Sequence, residues 1–173
     1  MSFLSRFFGA RQDRARLRPL YDAVVAEGRR PAWYRAGGVP DTIEGRFDVI
    51  AAVLAVVLIR LELEGERGKH VSVLLTEVFI DDMDGSLREL GVGDMVVGKR
   101  VGRLMGALGG RLGAFRQGLE HGGIEAAVRR NVFRDSPPSD EAVAFVAGRL
   151  TSFHRGLAAV PLEQLLRGEL PAA

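Results

Sequence analysis

The sequence predicts an all-α fold: a single compact helical domain of about six to eight helices, preceded by a basic amphipathic N-terminal segment. Three observations predict it. Apolar residues recur at three- and four-residue spacing along most of the 173-residue chain. Val49 to Ile59 is an unbroken apolar run whose flanks are helical in pattern. No strand-hairpin signal and no internal repeat interrupts them.

The elements follow in chain order. Residues 1–18 carry Arg6, Arg11, Arg14, Arg16 and Arg18 against Asp13 alone, and Phe3, Leu4, Phe7 and Phe8 fall on one helical face. Such a segment suits either the interface of an anionic membrane or the domain's own core. It lacks the apolar stretch of a secretory signal, and its Arg- and Phe-rich composition only loosely suggests a transit peptide. We read it as mature sequence and start the helical domain at residue 19, giving segments 1–18 and 19–173. Pro19 opens a helix whose apolar face is Leu20, Tyr21, Val24 and Val25. Residues 30–40, with two prolines and adjacent glycines, read as a loop. Asp41 and Thr42 form an N-cap pair, with Glu44 in the capping-box position if Asp41 is the cap.

The Val49–Ile59 run is far shorter than the ~20 residues needed to cross a bilayer, and Asp48 and Arg60 bracket it. Its Val and Ile content would also suit a buried strand, but its alanines and helical flanks predict the central buried helix. Val71, Leu74, Leu75, Val78, Phe79, Met83, Leu87 and Leu90 predict a helix over 69–90, with Gly91 as its C-terminal cap. Asp94 caps the next, over 95–119. A shorter helix over 123–134 contains Asn131. Ser136–Ser139 is a linker, Ser139 caps 140–157, and a short piece lies near 161–168.

Projected at about 100° per residue, the 95–119 helix has three faces. Val97, Val101, Leu104, Leu108, Leu112, Phe115 and Leu119 form an apolar stripe; Gly98, Gly102, Gly106, Gly109 and Gly113 form a second; Lys99, Arg100 and Arg103 form a third. Each interior glycine costs a helix about 0.5–1 kcal/mol. The leading expectation is that this stripe lets another helix of the same domain pack closely. The alternatives are a shallow groove for an external helix, or a break at Gly109-Gly110.

Charge is segregated although the net is only +2. Lys99, Arg100, Arg103, Arg111 and Arg116 form a basic run, while acids gather at Glu62, Glu64 and Glu66 and at Asp81, Asp82 and Asp84. Local fields will therefore steer partners. Cations other than Lys69 and Lys99 are arginine, as a GC-rich genome would give. The chain has no cysteine, which removes disulfide and thiol chemistry.

No catalytic or metal constellation stands out. Asp81, Asp82 and Asp84 lie within a helical pattern and diverge around its axis, unlike the ligands of a calcium loop. Asp84 has the spacing to pair with Arg88. His70, His121 and His154 are far apart, and no P-loop, nucleophile elbow or dinucleotide fingerprint occurs. Gly91-Val92-Gly93 reads as a turn between helices. Trp33 and Tyr34, beside Arg29, Arg30 and Arg35, offer base stacking or, as the plainer reading, an anchored loop. No catalytic residue, metal or cofactor is expected.

Several segments together resemble the ubiquinol–cytochrome c chaperone family. They are Tyr21; Arg29 to Tyr34; Gly38-Val39-Pro40-Asp41-Thr42-Ile43-Glu44-Gly45-Arg46-Phe47-Asp48; Asp81-Asp82-Met83-Asp84; Leu87-Arg88-Glu89-Leu90-Gly91-Val92-Gly93-Asp94; Lys99-Arg100-Val101; Gly110-Arg111; and Arg130-Asn131. They are colinear over roughly residues 20–155. The chain departs from the family pattern at Trp33, where phenylalanine is expected, and in the glycine-rich 102–113 stretch, which lacks an aromatic before Gly110-Arg111.

The resemblance implies a helical, non-enzymatic assembly chaperone that binds newly made cytochrome b and supports the cytochrome bc1 complex. It implies a bacterial form, from an alphaproteobacterium-like organism, in the cytoplasm and peripherally associated with the inner membrane. Further expected partners are a small assembly factor and the ribosome, as for mitochondrial members; DNA is not expected. The partner-binding residues expected from these motifs are Asp41, Gly45, Arg46, Asp81, Asp84, Arg88, Gly93, Asp94, Lys99, Arg100 and Arg103. Membrane contact is expected at Phe3, Leu4, Arg6, Phe7 and Phe8. The competing reading is an RNA- or ribosome-binding module using the arginine-rich surfaces, whose binding would fall steeply with salt.

Overall fold

The computed structural model describes residues 14–89, 97–134 and 137–171, apart from the side chains of residue 84 and of residues 86–89 and 97–104. Among the described residues there are helices and no strands, as predicted. They are α1 (Arg18–Gly28), α2 (Pro31–Arg35), α3 (Ile43–Glu62), α4 (Gly65–Glu89), α5 (Val97–His121), α6 (Ile124–Val132), α7 (Asp140–Ala158) and α8 (Leu162–Leu166). A helical turn at 14–16 and the buried Leu17 lead into α1.

The apolar run is the axis of the molecule. Every residue from Val49 to Leu61 is buried, because α1, α4, α5, α6 and α7 all pack around α3. A helix that is apolar on all sides needs neighbours on all sides. Arg60, itself buried, closes one end: Nε donates to the Leu157 carbonyl at 2.9 Å, Nη2 to the Val160 carbonyl at 2.9 Å, and Nη1 to Glu64 Oε1 at 2.7 Å. These bonds satisfy carbonyls at the C-terminal end of α7 and fix α3 to α7.

Two local readings change. Residues 31–35 are a short helix, not loop. Pro31 occupies its first turn after the extended Arg30, and Trp33 is fully buried. Of the expected N-cap pair, Thr42 is the cap of α3, its Oγ1 accepting from the Gly45 N–H at 3.1 Å, so the capping box conditional on Asp41 does not arise. Asp41 is instead taken by Arg46. Ser139 caps α7 as expected, accepting from the Ala142 N–H at 3.1 Å.

α4 starts four residues before its first apolar residues suggest, since Gly-Glu-Arg-Gly gives a helical turn no apolar signal. Gly65 makes the sharp reversal from α3 possible with φ of 60°. α5 runs unbroken through Gly109-Gly110 and ends at Gly122-Gly123, both at φ 84°. The expected caps Gly91 and Asp94 lie outside the described residues.

Candidate partner-binding surface

Of the sequence-predicted residues, Asp41 lies just before α3, Gly45 and Arg46 on its first turn, Asp81, Asp84 and Arg88 on α4, and Lys99, Arg100 and Arg103 on α5. Asp41 Oδ1 accepts from Arg46 Nε at 2.6 Å, and both side chains are exposed. This bond, with its charge, holds the Asp41 carboxyl below the usual carboxylate range and the Arg46 guanidinium above its own. Gly45 is buried. A Cβ there would approach the Pro40 carbonyl oxygen to 2.0 Å, so this glycine lets the loop fold tightly onto the first turn of α3.

On α4 the acids diverge as the helical pattern requires. Asp81 Oδ2 accepts from Arg14 Nη1 at 3.1 Å, while Asp82 Oδ2 accepts from the Tyr21 hydroxyl at 2.8 Å. Arg14 also binds Glu77, with Nε to Oε2 at 2.9 Å. The side chains of Asp84 and Arg88 lie outside the described residues, so their pairing does too. Gly93 and Asp94 lie there entirely. So do the side chains of Lys99, Arg100 and Arg103, carried on the first two turns of α5, and the segment with Phe3, Leu4, Arg6, Phe7 and Phe8.

At its described members, Gly106, Gly109 and Gly113, the glycine stripe of α5 does not pack against a neighbouring helix. Gly106, Gly109, Gly110 and Gly113 are exposed, and a Cβ added at any of them would meet nothing within 4 Å. The helix spends its propensity at these positions on an open face. Beside that face an apolar cleft of about 530 Å³ lies between α4 and α5. Leu58 lines it from α3, Val73 and Thr76 from α4, and Met105 and Leu112 from α5. Val73 is 58% exposed and Met105 46%, so each wall of the cleft presents an apolar side chain to solvent. Glu62, Lys69, Ser72 and Glu77 complete the lining, and Arg116 binds Glu62 through Nε at 3.1 Å.

Sequence reasoning missed the charged centre that anchors α5. Asp48, on the first turns of α3, is buried. Its Oδ1 is 2.5 Å from Arg111 Nη2 and 2.8 Å from Arg134 Nη2, and its Oδ2 accepts from Arg134 Nε at 3.0 Å. Arg111 is buried as well, with its guanidinium 5.4 Å from the Phe47 ring centroid. Burial pushes the Asp48 carboxyl up and the Arg111 guanidinium down, each opposed by attraction to the other. The available signal was slight: projected at about 100° per residue, Arg111 falls just outside the apolar stripe, on the side of the basic face.

A second such centre joins α1, α2 and α7. Buried Glu27 holds Arg30 Nε at 2.6 Å, and Arg149 Nη2 lies 3.4 Å from Glu27 Oε1. Arg149 stacks over Trp33 at 4.7 Å, and Trp33 Nε1 donates to the Glu27 carbonyl at 2.8 Å. The Tyr34 hydroxyl donates to the Gly28 carbonyl at 2.6 Å. The aromatic pair therefore anchors its segment, and Trp33 offers no stacking surface to a base.

The sequence profile of the ubiquinol–cytochrome C chaperone family matches residues 35–172. The chain belongs to this family. Curated proteins give no match. The crystal structure of the Cbp3 homolog from Brucella abortus is similar in sequence and shape: 27% identity, a TM-score of 0.80, and coverage of 99% of this chain and 97% of that one. Membership in this chaperone family supports a chaperone role tied to the cytochrome bc1 complex. No helix among the described residues is long and apolar enough to cross a membrane.

Proposed function

We propose that this protein binds newly made cytochrome b and holds it for assembly of the cytochrome bc1 complex, transforming no substrate itself. The observation that carries the reading is the family match over residues 35–172. The client surface is bordered by the Gly93–Arg116 stretch of α5 and its approach and by the Gly38–Phe47 segment, with Asp41 before α3, Arg46 on its first turn, and Asp81, Asp84 and Arg88 on α4. The open glycines favour this placement, because a small-residue face lets an apolar client helix approach backbone to backbone. Lys99, Arg100 and Arg103 would orient the client's charged ends, and Phe3, Leu4, Phe7 and Phe8, with Arg6, would give reversible contact with the inner membrane. A small assembly factor and the ribosome are further partners in this reading.

The test is affinity purification of the protein from membranes with and without cytochrome b synthesis. Newly made cytochrome b should be recovered with the native chain and lost when Lys99, Arg100 and Arg103 are changed to glutamate. Unchanged recovery removes that surface. A normal bc1 complex in cells lacking the protein removes the function.

A further inference from the structure

We infer that the cleft between α4 and α5 is the docking site of the chain's own N-terminal segment, which inserts the phenylalanines at positions 3, 7 and 8. The cleft is apolar and open, with Val73 and Met105 exposed on its two walls. The chain preceding it approaches along α4. Reading back from Tyr21 to Arg14, its partners on that helix step from Asp82 to Asp81 and Glu77. Glu77 is itself part of the cleft lining, so the point at which the described chain begins is already tied to the rim.

The remaining length fits. Along α4 the cleft runs from Lys69 to Glu77, about 12 Å at the helical rise. The six residue-to-residue steps from Phe8 to Arg14 reach about 9 Å as helix and about 20 Å extended. Phe3, Leu4, Phe7 and Phe8 have the three- and four-residue spacing of a single apolar face, the pattern by which an amphipathic helix enters a groove, and their contact with a membrane requires release from it. A client helix or a second copy of the chain could also fill an apolar cleft, but neither starts with its neck held at the rim.

Because the chain contains no cysteine, two engineered residues are its only thiols. In full-length Phe7→Cys/Met105→Cys, oxidation at low protein concentration should give a cross-link within one polypeptide. Phe7→Cys/Ser152→Cys, whose second thiol is on the exposed face of α7, should give it much more slowly. In the single variant Met105→Cys, docking should slow alkylation about tenfold relative to the same chain carrying Phe3→Ser, Phe7→Ser and Phe8→Ser, as a segment docked nine-tenths of the time requires. Met105 is exposed, so this change leaves the core intact. Equal cross-linking at Ser152, cross-links only between two polypeptides, or alkylation indifferent to the phenylalanines would each overturn the inference. No client is present in these measurements, so their outcome is independent of the cytochrome b reading.

Discussion

Changing Arg111 to methionine tests whether the buried charge centre holds α5 in place. Arg111 and Asp48 have side-chain exposures of 3% and 5%. Removing one partner of a buried pair strands the other charge, which costs about 3–5 kcal/mol. Arg134 is 41% exposed and keeps two contacts to Asp48, so the expected loss is at the lower end, about 3 kcal/mol. That is a large part of a folding free energy of about 5–15 kcal/mol. In urea it should lower the midpoint by roughly 1–3 M at unchanged slope. The double variant Asp48→Leu/Arg111→Met removes both charges and should recover most of the loss, since an apolar replacement of a whole buried pair is often close to neutral. A single-variant loss below about 1 kcal/mol, or a double variant as weak as the sum of the two singles, would refute the reasoning.

Two further outcomes are expected. Gly109→Ala/Gly113→Ala should stabilise the protein by roughly 1–2 kcal/mol, raising Tm by roughly 2–8 °C, because the added methyl groups meet nothing; calorimetry with parallel recovery of cytochrome b would show stability rising while client binding falls, and a lower Tm would contradict the open face. Burial, and then the bond to Asp82, push the Tyr21 hydroxyl well above its ordinary range. Its folded pKa exceeds its unfolded one, so its contribution is present below about pH 10 and is lost as pH rises beyond that. Thermal melts from neutral to alkaline pH should show this decline, and Tyr21→Phe should flatten it, leaving the smaller part due to Tyr34, which burial also raises; an identical slope in the variant would exclude Tyr21 as its source.

Features that depend on neighbours in sequence were legible. Pro19 opening a helix, Ser139 capping another and the Val49–Ile59 run forming the buried axis all follow from local pattern. The segment around Trp33 was not, because prolines and glycines mark loops on average, whereas here Pro31 starts a helix that a buried indole holds. The glycine stripe was half legible: its existence follows from spacing, but what faces it depends on where α3, α4 and α6 lie. The Asp48 centre joins residues 63 positions apart, and only the place of Arg111 at the edge of an apolar stripe hinted at it. Of the expected partner-binding residues, Asp41 and Arg46 are paired at the surface, Gly45 is given over to a tight fold, and Asp81 is engaged by Arg14.

Trp33 is the sole indole in the sequence, shielded from water and capped by the Arg149 guanidinium. Its fluorescence should therefore be blue-shifted at rest and redden only when α1, α2 and α7 separate. Events confined to the cleft between α4 and α5 would leave it silent. The molecule thus carries an optical gauge that tells loss of the fold apart from occupation of its surface, with no added label.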